Sequence, residues 1–83
     1  MKATVKVINR NRGIYAAEID DTGEFVIFRI LNSSEVEIDD SISHPDFYRM
    51  GFETFENLTQ GISMAVSVEN IYGASLIKQQ GLL

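Results

Sequence analysis

Residues 61 to 69, Gly-Ile-Ser-Met-Ala-Val-Ser-Val-Glu, alternate larger apolar side chains with small or polar ones. A strand has a side-chain period of two, so Ile62, Met64, Val66 and Val68 fall on one face and predict a half-buried strand. Such a strand buries its face only against other strands that share a core. Three earlier segments supply them: Thr4 to Ile8, Ile14 to Ile19 and Phe25 to Leu31 are rich in β-branched and aromatic residues and bounded by polar clusters. Asn9-Arg10-Asn11-Arg12-Gly13 reads as one turn, with Gly13 free to take positive φ, and Asp20-Asp21-Thr22-Gly23 as another. Strands near 3–9, 14–20, 24–31 and 62–69 are therefore expected to pair in one closed sheet.

Between the third strand and residue 61 the reading forks. Val36, Ile38 and Ile42 suggest a further strand over 35 to 42. Ser43-His44-Pro45-Asp46 fits the start of a short helix, with Pro45 in its first turn, Asp46 favourable to the dipole and Gly51 at its end. Residues 32 to 60 thus read as a helical or irregular insertion within one domain, 1–83. The insertion holds Phe47, Tyr48, Phe52 and Phe55, four of the chain's eight aromatic residues.

An 83-residue chain is near the low end of what buries an adequate core without staples. There is no Cys, so no disulfide and no thiolate metal site supports it. An apolar fraction of 45% fits a folded chain, and no apolar run approaches the roughly 20 residues of a membrane span. Met1-Lys2-Ala3-Thr4 lacks the apolar stretch of a signal peptide, so a bacterial-type cytoplasm is the expected setting. Charge is unevenly placed. Residues 1 to 14 carry Lys2, Lys6, Arg10 and Arg12 and no acid, a local +4 in a chain of net −5, which leaves −9 for the remainder. A negative total repels nucleic acid at long range, whereas a local basic strip tracks phosphates. The same residues read, somewhat more readily, as the solvent-facing side of a first hairpin.

Five features in order give the chain a family likeness. Val5-Lys6-Val7-Ile8-Asn9 stands where a bacterial cold-shock domain has Val-Lys-Trp-Phe-Asn, and Arg12-Gly13-Ile14-Tyr15-Ala16-Ala17 where it has Lys-Gly-Phe-Gly-Phe-Ile. The acidic turn Asp20-Asp21-Thr22-Gly23 follows, then Phe25-Val26-Ile27-Phe28 in place of Val-Phe-Val-His. Gly51-Phe52-Glu53-Thr54-Phe55-Glu56 resembles the family's Gly-Phe-Lys-Thr-Leu-Glu loop before its fourth strand. Residues 2 to 31 resemble that family well and 51 to 69 loosely. The resemblance implies an all-β fold, a five-stranded small antiparallel barrel of the OB type, ahead of an SH3-like one. It also implies a fifth strand around Gly73 to Ile77, where local propensity favours a short helix over 74 to 80.

The resemblance further implies a small non-enzymatic module that binds single-stranded RNA or DNA on rings presented by strands two and three. Taken slot by slot, Val7, Ile14, Ala16 and Val26 replace the family's rings, and Phe28 alone keeps an aromatic there. Each ring is worth roughly 1–3 kcal/mol per base, so the expected binding is weak. The candidate nucleic-acid site is Lys6, Arg10, Arg12, Phe28 and Arg29 around an apolar face of Val7, Ile14 and Val26. An apolar patch rimmed by charge is also what a protein-interaction or regulatory adaptor presents. That second reading gains if Phe47, Phe52 and Phe55 fold back over the face.

Other chemistry finds little footing. His44 is the sole His and precedes Pro45, which suits a turn or cap. No Ser-His-Asp or Cys-His set is available beyond it, and Ser75-Leu76-Ile77-Lys78 lacks the companion motifs of Ser-x-x-Lys enzymes. The run Glu35, Glu37, Asp39, Asp40 does not have calcium-loop spacing and reads as a solvated edge. With no phosphate-binding Gly loop, neither cofactor nor metal is expected.

Overall fold

Six segments of the chain take extended conformation, each with one face turned to a shared interior. They are β1 (Lys2–Asn9), β2 (Ile14–Ile19), β3 (Phe25–Ile30), β4 (Ser41–Ser43), β5 (Gly51–Asn57) and β6 (Ile62–Tyr72). The structure, a computed structural model, describes residues 1–73 and 75. The strand-or-helix question at 74 to 80 falls, apart from Ser75, outside the described residues.

The strands close into a barrel in the order β1-β2-β3-β6-β5-β4, with β4 returning to β1 and every neighbouring pair antiparallel. After the β1–β2–β3 meander the chain crosses to the far side of β1, the Greek-key connection. The all-β, closed antiparallel expectation is met, but with six strands in place of five. The difference is one of parity: neighbours alternate in direction all the way round only if the strand number is even. A ring of five would carry one parallel pair.

Two of the six strands come from within the supposed insertion. Of the expected strand over 35 to 42 only Ser41 and Ile42 pair, and the strand runs on to Ser43, against Lys2 to Thr4 of β1 and Glu56 and Asn57 of β5. Residues 51 to 57, expected as a loop, form β5 and pair along their whole length with β6. The short helix expected after Ser43 is a turn. Asp46 Oδ1 accepts the Tyr48 N–H at 3.0 Å and His44 Nδ1 accepts the Asp46 N–H at 2.9 Å. These side chains satisfy the backbone locally, in competition with a helix.

The interior is filled by Val5, Ile19, Val26, Phe28, Val36, Ile42, Phe47, Phe55, Met64, Val66 and Val68, all buried. Phe55 is the hub, edge-on to Phe28 and to Phe47 with centroids 5.1 Å away in each case. Two bulges decide which residues reach the outer wall. Lys6 is the extra residue of β1 between the Val5–Ala17 and Val7–Ala16 pairs, so Val5 points inward and Val7 outward. Glu69 is the extra residue of β6 between Val68 and Asn70, opposite Phe28 and Ile27. Outside the barrel, Ala16, Phe25 and Ile27 form a second apolar cluster with Val7, Ile14 and Tyr72 packed against it.

Candidate interaction surface

The outer wall of β2, β3, β6 and β5 carries Ile14 and Arg29 of the candidate residues, with Arg12 at its edge. Arg29 anchors it. Its Nε donates to Glu69 Oε1 at 3.0 Å and Nη1 donates to the Arg12 carbonyl at 2.7 Å. One side chain thus ties the β1–β2 turn to the β6 bulge. Gly13 makes room for it: its φ is +67°, and a Cβ there would lie 3.4 Å from Arg29 Nη1. Beside Arg29 lies a cleft of about 230 Å³ with Ile14 and Ile27 in its lining and Arg12, Glu69, Asn70 and Tyr72 around them.

The expected site divides between two sides of the barrel wall. Val7 and Ile14 are half-buried on the outside, with Lys6, Arg10, Arg12 and Arg29 exposed. Val26 and Phe28 are fully buried inside, because Tyr15 pairs with Phe28 and Ala17 with Val26. Phe28 stacks on Tyr15 and has no face free for a base, so its proposed stacking role does not stand. The cations are also less free than their count suggests. Lys6 lies 3.5 Å from Asp39 and Arg29 is held by Glu69. Among the described residues, Lys2, Arg10, Arg12 and Arg49 have no carboxylate in ion-pair range.

Of the three insertion phenylalanines, Phe47 and Phe55 enter the barrel core, in the same buried cluster as Val26. Phe52 does the opposite: it is 82% exposed on the outer wall of β5. Its parity with Thr54 and Glu56, both exposed, is the signal in the sequence that places it outward. Register then locates it. Arg29 is opposite Ser67, and Ser67 is opposite Phe52, so an exposed ring stands two strands from the Arg29 guanidinium. The intervening outward residues of β6, Ser63, Ala65 and Ser67, are small. Leu31 and Met50 are further exposed apolar side chains.

The remaining polar groups serve the fold. Asp40, alone of the acidic run, is buried, and its Oδ2 accepts from Glu37 N at 2.9 Å, Asn57 Nδ2 at 2.9 Å and Gln60 Nε2 at 2.6 Å. Burial pushes its carboxyl up, but the donors from Asn57, Glu37 and Gln60 together outweigh it and hold the pKa below 3.8. His44 is buried with Nε2 2.8 Å from Glu53 Oε1, and Phe55 lies edge-on to its ring. The Tyr48 hydroxyl donates to Glu24 Oε1 at 2.6 Å, which raises the phenol above its ordinary pKa against an opposing hydrogen bond from Thr22. No group of three or more potential metal ligands occurs among the described residues, and no helix there is long and apolar enough to cross a membrane. Comparison of the chain with protein-family models, curated proteins and solved structures returns no match.

Proposed function

We propose that this barrel is a non-enzymatic protein-interaction module that docks through the outer wall of β5, β6 and β3. The observation that carries the reading is Phe52, a large aromatic side chain left 82% exposed on a regular strand rather than at a loop tip. Interface hot spots are enriched in such anchors, surrounded by contacts that exclude water. The flanking small residues of β6 and the Arg29–Glu69 pair supply a shallow polar surround. The ordered motifs of residues 2 to 31 support descent from an OB-type cold-shock barrel, with its stacking rings lost from the binding face.

Magnitudes favour this over strong nucleic-acid binding. With Phe28 inside, strands two and three offer no phenylalanine face to a base. Forfeiting four rings at roughly 1–3 kcal/mol each removes several decades of affinity. A second reading keeps one specific support: the acid-free stretch 1 to 14, whose Lys2, Arg10 and Arg12 lack carboxylate partners among the described residues. Such a strip holds a single-stranded backbone weakly and loses it readily to salt.

A photo-crosslinking residue at position 52, with one at exposed Glu35 as control, tests the two readings in cells. A discrete protein adduct from position 52 and none from 35 is expected. Adducts to nucleic acid alone, or equal labelling from both positions, would overturn the interaction reading.

A further inference from the structure

We infer that the partner of this surface is a second copy of the chain, each Phe52 entering the other's cleft beside Ile14 and Tyr72. The inference rests on the interaction reading above and gives its partner. Ring and cleft lie on one wall, separated across β6 by two strand spacings, about 10 Å. An isologous pair brings residue i of one copy onto residue j of the other and j onto i. A two-fold axis lying along β6 near Ser67, midway between ring and cleft, seats both rings at once.

Close approach on that axis requires that nothing tall stand there. From Ser63 to Ser67 the outward side chains of β6 are Ser63, Ala65 and Ser67, which meets the requirement over that stretch; Glu69 and Asn70, also outward, stand at its cleft end. The cleft suits a ring chemically as well. Its lining combines Ile14 and Ile27 with the Tyr72 ring, and Arg12 and Arg29 at its edge offer cation–π contact. Glu69 beside Arg29 gives the wall both signs of charge, so two copies meet without a one-signed local field.

Area sets the strength. Four strands at ~4.8 Å spacing by six residues at ~3.3 Å rise give about 400 Å² of projected wall. Two such walls, about 800 Å² together, fall below the usual size of stable specific interfaces, so the pair is weak and transient, with association on the order of 0.1–1 mM. A net charge of −5 on each copy opposes encounter at low salt. Added salt therefore strengthens this pairing, the reverse of its effect on phosphate binding.

Sedimentation equilibrium of the full chain, from the micromolar range to about 1 mM and at two salt concentrations, tests it. The wild type should pair reversibly, more tightly at high salt. Phe52→Ala, at an exposed position that leaves the fold intact, should weaken pairing by about tenfold or more. Asn70→Trp, which fills the cleft, should do the same. Mixing the two variants should restore part of the association, because the Phe52 of one still finds the open cleft of the other. A monomer throughout, pairing indifferent to Phe52→Ala, or no gain on mixing would overturn the proposal. If the purified chain stays monomeric while position 52 crosslinks to a different protein, self-pairing fails and the interaction reading stands. If it neither pairs nor crosslinks, both fail.

Discussion

Tyr15 and Phe28 stack inside the barrel, their ring centroids 5.7 Å apart and their planes 24° from parallel. They are cross-strand partners of β2 and β3, and Phe28 also meets Phe55 edge-on. Phe28 is thereby a packing residue. Phe28→Ala should cost about 3–5 kcal/mol, the usual penalty for emptying a buried phenylalanine site. Chemical denaturation measures it directly, and any oligonucleotide affinity per folded molecule should be unchanged.

Asp40 carries the acid sensitivity of the fold. Its folded pKa lies below the ordinary 3.8, so its carboxylate contributes stability that is complete above that value and is lost as pH falls through the lower folded value. Asp40→Asn keeps an amide oxygen for the Glu37, Asn57 and Gln60 donors but removes the charge that strengthens those bonds, and should cost about 1–3 kcal/mol at neutral pH. The gap between variant and wild type should narrow below about pH 4 as Asp40 is protonated. Denaturant midpoints across that range supply the check; a gap constant with pH would contradict it.

His44 should hold one tautomer when neutral. The Asp46 N–H donates to Nδ1, so the ring proton sits on Nε2 and is donated to Glu53. Nitrogen chemical shifts of the ring report this arrangement. His44→Leu leaves both the Asp46 N–H and the Glu53 carboxylate without this partner and should destabilise by about 1–3 kcal/mol. Glu53→Gln, which retains an acceptor, should cost less.

Gly13→Ala meets two obstacles, the positive φ and the nearby Arg29 guanidinium. The guanidinium is the end of a flexible chain, so the backbone dominates, at about 1–2 kcal/mol. In an Arg29→Ala background the cost of Gly13→Ala should fall only slightly. A large drop in a double-mutant cycle would show that contact with Arg29 sets the cost.

If single strands bind at all, the hairpin cations should govern the salt response. About three phosphate contacts from Lys2, Arg10 and Arg12 predict a slope of log affinity against log salt near −2, at ~0.7 per contact. Arg12→Ala should flatten it by about 0.7 without changing base preference. Phe52→Ala should leave the slope alone, since it removes no charge.

Legibility in the sequence followed alternation. β1 and the outset of β6 alternate, and β2 lies between two clear turns, so all three were readable as strands. In β3, Phe-Val-Ile-Phe is apolar on both parities because the strand packs on both faces of the wall, so nothing local says whether Ile27 or Phe28 points outward. That ambiguity misplaced Val26 and Phe28, and hence the ring of the candidate site. β4 was nearly invisible for another reason: only Ser41–Ser43 pairs, and Ile42 is its single buried side chain, too short a segment to display a period. The Lys6 and Glu69 bulges likewise leave no mark in composition, since each is defined only by what its partner strand omits.

The brevity of β4 makes the barrel a cylinder with a seam. Its β3–β6 joint runs from Phe25–Tyr72 to Ile30–Val66, whereas β4 meets β1 only from Lys2 to Thr4. Beyond those residues the closure passes to single fastenings: Val5 N–H to the Asp40 carbonyl, Asp39 N–H to the Val5 carbonyl, and the Asp40 side chain clasping Asn57 and Gln60. Breathing motions should therefore part the molecule along β4, with β1–β2–β3 and β5–β6 swinging like two leaves on the β3–β6 spine. Amide exchange at Ser41 to Ser43 should run ahead of that in β3 and β6, and undoing the Asp40 clasp should widen the difference.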